Sequence, residues 1–134
     1  MLWRKKNRVS VVIHLNARLR PLDRGEHFEE PLDAHLRARV PGTAVVSGGT
    51  LVSAAGEPLS CDIEIEWAGP ADQAVSTLEP LLERLGTPRG SSVTVGGGSA
   101  VPVGRTEGPR HYRSQKRLRD PGLELCQQTG FVRR

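Results

Sequence analysis

Polar and apolar positions alternate most strictly near the middle of the chain. Cys61, Ile63, Ile65 and Trp67 fall on one side of an extended strand, and Asp62, Glu64 and Glu66 on the other. A second alternating run starts at Val9. Val9, Val11, Ile13, Leu15 and Ala17 form one row, and Ser10, Val12, His14, Asn16 and Arg18 the other. Pro21 ends that run, because it cannot donate to a strand ladder and restricts the residue before it. Leu22 to Gly25 has the composition of a turn. The period then changes: Phe28, Leu32, Leu36 and Val40 recur every four residues, along one side of a helix. The helix is expected at about Glu29 to Arg39, with Pro31 in its first turn and Pro41-Gly42 as its stop.

Thr43 to Val52 is a second strand, interrupted by Gly48-Gly49, which predicts a bulge or a close backbone approach. Ala54 to Pro58 turns the chain into the third strand, Leu59 to Trp67. Gly69-Pro70 opens a second helix with a stripe of Val75, Leu78, Leu82 and Leu85, and Gly86 stops it. Pro80 interrupts this stripe and should kink or weaken the helix, at about 3 kcal/mol if no neighbour adapts. Ser91 to Val95 is a fourth strand.

The order strand, helix, strand, strand, helix, strand predicts an α+β fold. It is the ferredoxin-like two-layer sandwich, an antiparallel sheet with two helices on one face. The first and third strands would be central neighbours. His14, Asn16 and Arg18 would then share the open face with Asp62, Glu64 and Glu66, with Arg18 expected near Glu64 or Glu66. Opposite charges facing across strands contribute a few tenths to about 1 kcal/mol.

The chain has 134 residues, which fits one domain, and a net charge of +4 that is unevenly spread. Residues 1–8 hold four basic side chains and no acid; residues 9–95 hold seven basic against twelve acidic; residues 96–134 hold eight against three. The expected organisation is a basic extension (1–8), the α+β domain (9–95), and a Gly-rich linker with a basic, disordered tail (96–134). Val101-Pro102-Val103 reads as a brief extended piece. Basic ends around an acidic middle often mark interaction segments.

Candidate chemistry is sparse. Asp62, Glu64 and Glu66 could attract a hard cation, but carboxylates at every second position lie in a line and do not converge on one ion unaided. His14 beside Asp62 or Glu64 could form an acid–base pair, although an isolated surface histidine is commoner. His27, His35 and His111 fit no metal or catalytic spacing. Cys61 belongs to the apolar row and reads as a small core residue; Cys126 lies in the tail. No glycine cluster has the form of a phosphate loop. The tail residues Arg110, Arg113, Lys116, Arg117 and Arg119, with Tyr112 for stacking, could contact nucleic acid weakly. The open face is acidic and lacks the aromatic side chains of an RNA-binding sheet. The sequence assigns no catalytic residue, no metal ligand and no cofactor.

Glu29 to Leu36, Gly48 to Thr50 and Cys61 to Glu66 resemble a family of uncharacterised bacterial proteins, to which no name or activity attaches. The resemblance covers about residues 9–107. Such proteins continue into a second, similar half, whereas the last 27 residues here differ in composition, as in a truncated or frame-altered replacement. The expected function is a small non-enzymatic domain that binds or regulates another protein, a basic one if the acidic row is used. A homo-oligomer is compatible with it. The alternatives are nucleic-acid binding through the basic termini and a metal-dependent hydrolase using Asp62, Glu64 and Glu66. The short apolar run after the basic N-terminus resembles neither a signal peptide nor a membrane span, so a cytoplasmic location is expected.

Overall fold

The structure is a computed structural model that describes residues 8–105. Strands β1 (Val9–Leu15), β2 (Ala44–Val52), β3 (Pro58–Trp67), β4 (Ser91–Val95) and β5 (Val101–Val103) form one antiparallel sheet in the order β2-β3-β1-β4-β5. The central pairing aligns like with like: Val11 faces Ile65 and Ile13 faces Ile63 across the β1–β3 ladder. Because side chains alternate between faces, this register sends both apolar rows inward and both polar rows outward. Val11, Ile13, Leu15, Cys61, Ile63, Ile65 and Trp67 are all buried.

Two helices pack on the inner rows. The first begins as α1 (Pro21–Arg24), widens into a π-type turn at Gly25–Glu29, and continues as α2 (Glu30–Arg39). It therefore starts about eight residues earlier than expected, and the segment read as a turn is helical. Pro21 sits in its first turn, where a missing N–H costs nothing. Pro31 is thus inside a continuous helical run. Its ring presses on the carbonyl four residues back, and the wider turn relieves the clash. The Glu30 N–H accordingly donates to Gly25, five residues back. Phe28, Leu32 and Leu36 enter the core as the four-residue spacing predicts.

Helix α3 (Ala74–Arg84) follows a single 3₁₀ turn at Ala71–Gln73 and runs through Pro80 without a break. Pro80 and Ser76, whose carbonyl loses its donor, are both exposed, so water can serve that carbonyl. Leu78, Leu81 and Leu82 are buried, and Val75 and Leu85 pack at the margin. Gly86, at φ 81°, closes the helix. The Thr87 N–H reaches Leu82 and the Gly86 N–H reaches Glu83, the paired bonds of a Schellman cap.

Two further expectations need correction. The sheet has five strands rather than four. The glycine run after Val95 is the turn of a hairpin in which Val93 pairs with Val101 and Ser91 with Val103. The sheet therefore extends beyond residue 95, and β5 contributes Val103 to the core. The expected bulge is displaced as well: the register shifts fall at Val45/Ser47 and Leu51/Val52, while Gly48 and Gly49 pair regularly with Ile63 and Asp62. Among the described residues, no helix is long and apolar enough to cross a membrane.

Asp33 ties α2 to the outer strand. Its carboxylate accepts the Val45 N–H at 2.9 Å and the Arg37 Nε–H at 2.7 Å. Burial alone would raise its pKa, but the Arg37 and Val45 hydrogen bonds and the Arg37 charge together hold it below its usual value. A folded-state pKa below the unfolded one contributes stability that is present above the unfolded value and lost as pH falls. Asp33→Ala should lower the melting temperature at pH 7 by roughly 4–8 °C, for a loss of about 1 kcal/mol. Thermal unfolding across pH should show that difference shrinking below about pH 4; a constant difference would contradict this role.

Candidate functional site

The outer face of the sheet is the broad surface that the sequence points to. The Ser10 carbonyl accepts the Gly96 N–H on the β4 side. In an antiparallel sheet a residue's N–H and C=O point toward the same neighbour, so the even-numbered residues of β1 bond to β4. Ser10–Glu66, Val12–Glu64 and His14–Asp62 are therefore the closely approaching, non-hydrogen-bonded pairs of the β1–β3 ladder. His14 Nδ1 lies 2.9 Å from Asp62 Oδ1. Ser10 Oγ and Ser47 Oγ donate to the two oxygens of Glu64 at 3.1 and 2.9 Å. Arg8 Nη1 bonds Glu66 Oε1 at 3.1 Å.

Each carboxylate of the row thus has its own partner, drawn from β1, from β2 and from Arg8 just ahead of β1. The arrangement is a line of separate polar contacts on a flat, solvated face. The His14 and Asp62 side chains are 45% and 62% exposed, so their pairing is a surface interaction of about 0–1 kcal/mol. No group of three or more His, Cys, Asp or Glu side chains among the described residues could hold a metal ion. The remaining outward positions of β4, Ser92 and Thr94, lie opposite His14 and Val12 and add hydroxyls.

One of the expected face residues lies elsewhere. Antiparallel pairing sets Glu66 and Glu64 opposite the start of β1, and Arg18 lies beyond its other end, exposed. Arg8 takes the place expected for Arg18. The same even-numbered spacing that selects Ser10, Val12 and His14 also reaches Arg8, the last residue of the basic extension. Asn16, the next even-numbered residue after His14, is tied to the start of β4: its Nδ2 donates to the Arg89 carbonyl at 2.8 Å and its backbone N–H to Ser91 Oγ at 2.9 Å.

The helix side of β2 holds a cluster that the sequence did not suggest. Arg24 Nε donates to Glu29 Oε2 at 2.6 Å, and Arg24 Nη1 donates to Thr50 Oγ1. Residues five apart are poorly aligned on an α-helix, and the π-type turn brings them together. Gly48 makes room: a Cβ there would collide with the Glu29 carboxylate and the Arg24 Nε. The close approach predicted at Gly48-Gly49 is therefore present, with an ion pair as the neighbour. A buried guanidinium close to Gly48 and Thr50 leaves no period in the sequence; the five-residue separation from Arg24 to Glu29 is its one trace.

The other candidates have structural surroundings. Cys61 is buried, with Sγ 3.4 Å from the Leu19 carbonyl, and burial pushes its thiol pKa up, opposite to what a nucleophile needs. His27 Nε2 bonds the Leu85 carbonyl at 3.0 Å and its ring packs edge-on against Phe28. His35 is exposed. Cys126, His111 and the nucleic-acid candidates Arg110, Tyr112, Arg113, Lys116, Arg117 and Arg119 lie outside the described residues.

No protein-family model, curated protein or solved structure matches this chain. That agrees with a resemblance to which no family name attaches.

The Gly48 geometry gives a direct test. Gly48→Val should displace the Arg24–Glu29 pair and destabilise the fold by about 1–3 kcal/mol. Gly49→Val, where a Cβ meets nothing within 4 Å, should be far milder. Urea unfolding of the two variants compares them, and equal losses would contradict the assigned close approach.

Proposed function

We propose that this chain is a small protein-binding domain that presents the outer face of its sheet to a partner. The observation that carries the reading is the row Asp62, Glu64 and Glu66, the first two exposed and the third half-buried, which lies on that face bordered by hydroxyls. Carboxylates held in fixed positions by short-range partners suit a basic surface rich in hydrogen-bond donors.

The fold belongs to the same proposal. Strands β2-β3-β1-β4 follow the ferredoxin-like order, each helix joining two strands that flank a third, and β5 extends the sheet by one edge strand. This arrangement leaves one sheet face uncovered, which supports its use in contact. Two rivals are weaker. A metal-dependent hydrolase needs the acid row to converge, and its members have separate partners. Nucleic acid would meet like charge on this face, so its binding would have to run through residues outside it.

Photo-cross-linking in cells that make the protein separates these readings. A benzophenone amino acid at Ser92 or Thr94 should yield the same discrete protein adduct, which Glu64→Lys should remove. The same probe at Ala38, exposed on α2, should yield none. Adducts that disappear on nuclease treatment, or that form only from Ala38, would refute the proposal.

A further inference from the structure

Strand β2 is an edge of the sheet, nine residues long, with the sequence Ala-Val-Val-Ser-Gly-Gly-Thr-Leu-Val. It carries no charge and no proline, two of the devices that keep an edge from pairing with another chain, and between its two register shifts Ser47–Leu51 is regular. Val46, Leu51 and Val52 are exposed on it. Asp33 covers one amide, that of Val45. Among the described residues, no other side chain bonds a backbone N–H of this strand. The edge is therefore closed at its start and open from about Ser47 onward.

A cleft of about 310 Å³ runs beside the open part. This is at the lower end of the ~300–1,000 Å³ range of ligand clefts. Gly48, Gly49, Thr50 and Val52 line its strand side, and Arg20, Pro21 and Arg24 line the helical side. The Arg24 charge is answered by Glu29. Arg20 is exposed, and its guanidinium makes no hydrogen bond or ion pair among the described residues. The cleft thus has one unanswered positive charge next to an unpaired strand edge.

The geometry points to β-strand addition: an extended segment of a partner protein pairs with the edge at Ser47–Val52 and sets an acidic side chain against Arg20. Backbone hydrogen bonds supply the affinity, and the arginine supplies the selectivity. The charge identifies the occupant. A second copy of β2 would bring no carboxylate to Arg20, because β2 has none. The chain's own residues 106–134 carry seven basic side chains against three acidic ones. This site is separate from the outer sheet face, and its chemistry is opposite in sign.

The test uses the full chain, labelled with ¹⁵N, and two probe peptides: Ser-Thr-Val-Glu-Val-Glu-Val-Thr-Ser and its counterpart with both Glu replaced by Lys. The acidic peptide should shift the amide signals of Ser47–Val52 saturably, and the basic one should bind at least about tenfold more weakly, for one charge-assisted hydrogen bond. Arg20→Glu, at an exposed position, should reverse that preference while leaving the rest of the spectrum unchanged. Absence of saturable shifts with either peptide overturns the inference, as does a preference that Arg20→Glu leaves intact. Dimerisation of the unliganded protein in sedimentation equilibrium, with the same amides shifting as protein concentration rises, also overturns it in favour of a second copy.

Discussion

The pairing of Val11 with Ile65 and of Ile13 with Ile63 decides what every other part of the molecule can do. Side chains alternate along a strand, so a slip of one residue between β1 and β3 would turn Ile63, Ile65 and Trp67 to water and bury three carboxylates. Burying an ionised carboxylate without a partner is among the most expensive changes available to a protein. The apolar rows and the acidic row therefore enforce one register from opposite sides of the sheet. Once it is set, the helices have a floor and the outer face has its charge.

The second constraint lies at the first helix. Pro31 has no N–H to give and its ring presses on the His27 carbonyl, and just ahead of it the helix carries a wider turn at Gly25–Glu29. That turn aligns Arg24 with Glu29, and Gly48 leaves the space the pair occupies. Three local features far apart in sequence are thereby joined: a proline, a five-residue spacing and a glycine inside a strand. Breaking a partly buried pair of this kind leaves a charge without its partner, which costs more than the pair's small size suggests.

The periodic parts of the fold were legible in the sequence because burial on one side imposes a period. The rows of β1 and β3, the Phe28–Leu32–Leu36 stripe and the Gly86 stop all follow from that rule. What was not legible lacks a period. The helical start at Pro21–Arg24 holds a proline and two charged side chains and is followed by Gly25, so it has the composition of a turn and becomes helical through its neighbours. Strand β5 is three residues with a central proline, which reads as an extended fragment until β4 is beside it. On the outer face, Asp62, Glu64, Glu66 and His14 were identifiable by alternation alone. Arg18 was misplaced because alternation gives the face of a residue and not its height along the sheet. The antiparallel register supplies that height and substitutes Arg8.

The functional account rests on the same register, since it sets the acidic face. Nuclear Overhauser contacts between Hα protons across β1 and β3 measure it directly, because non-hydrogen-bonded antiparallel pairs bring their Cα atoms to about 4.5 Å. The account predicts strong Hα–Hα contacts for Ser10–Glu66, Val12–Glu64 and His14–Asp62. Contacts displaced by one residue or more, or strong contacts for Val11–Ile65 and Ile13–Ile63 in their place, would contradict it.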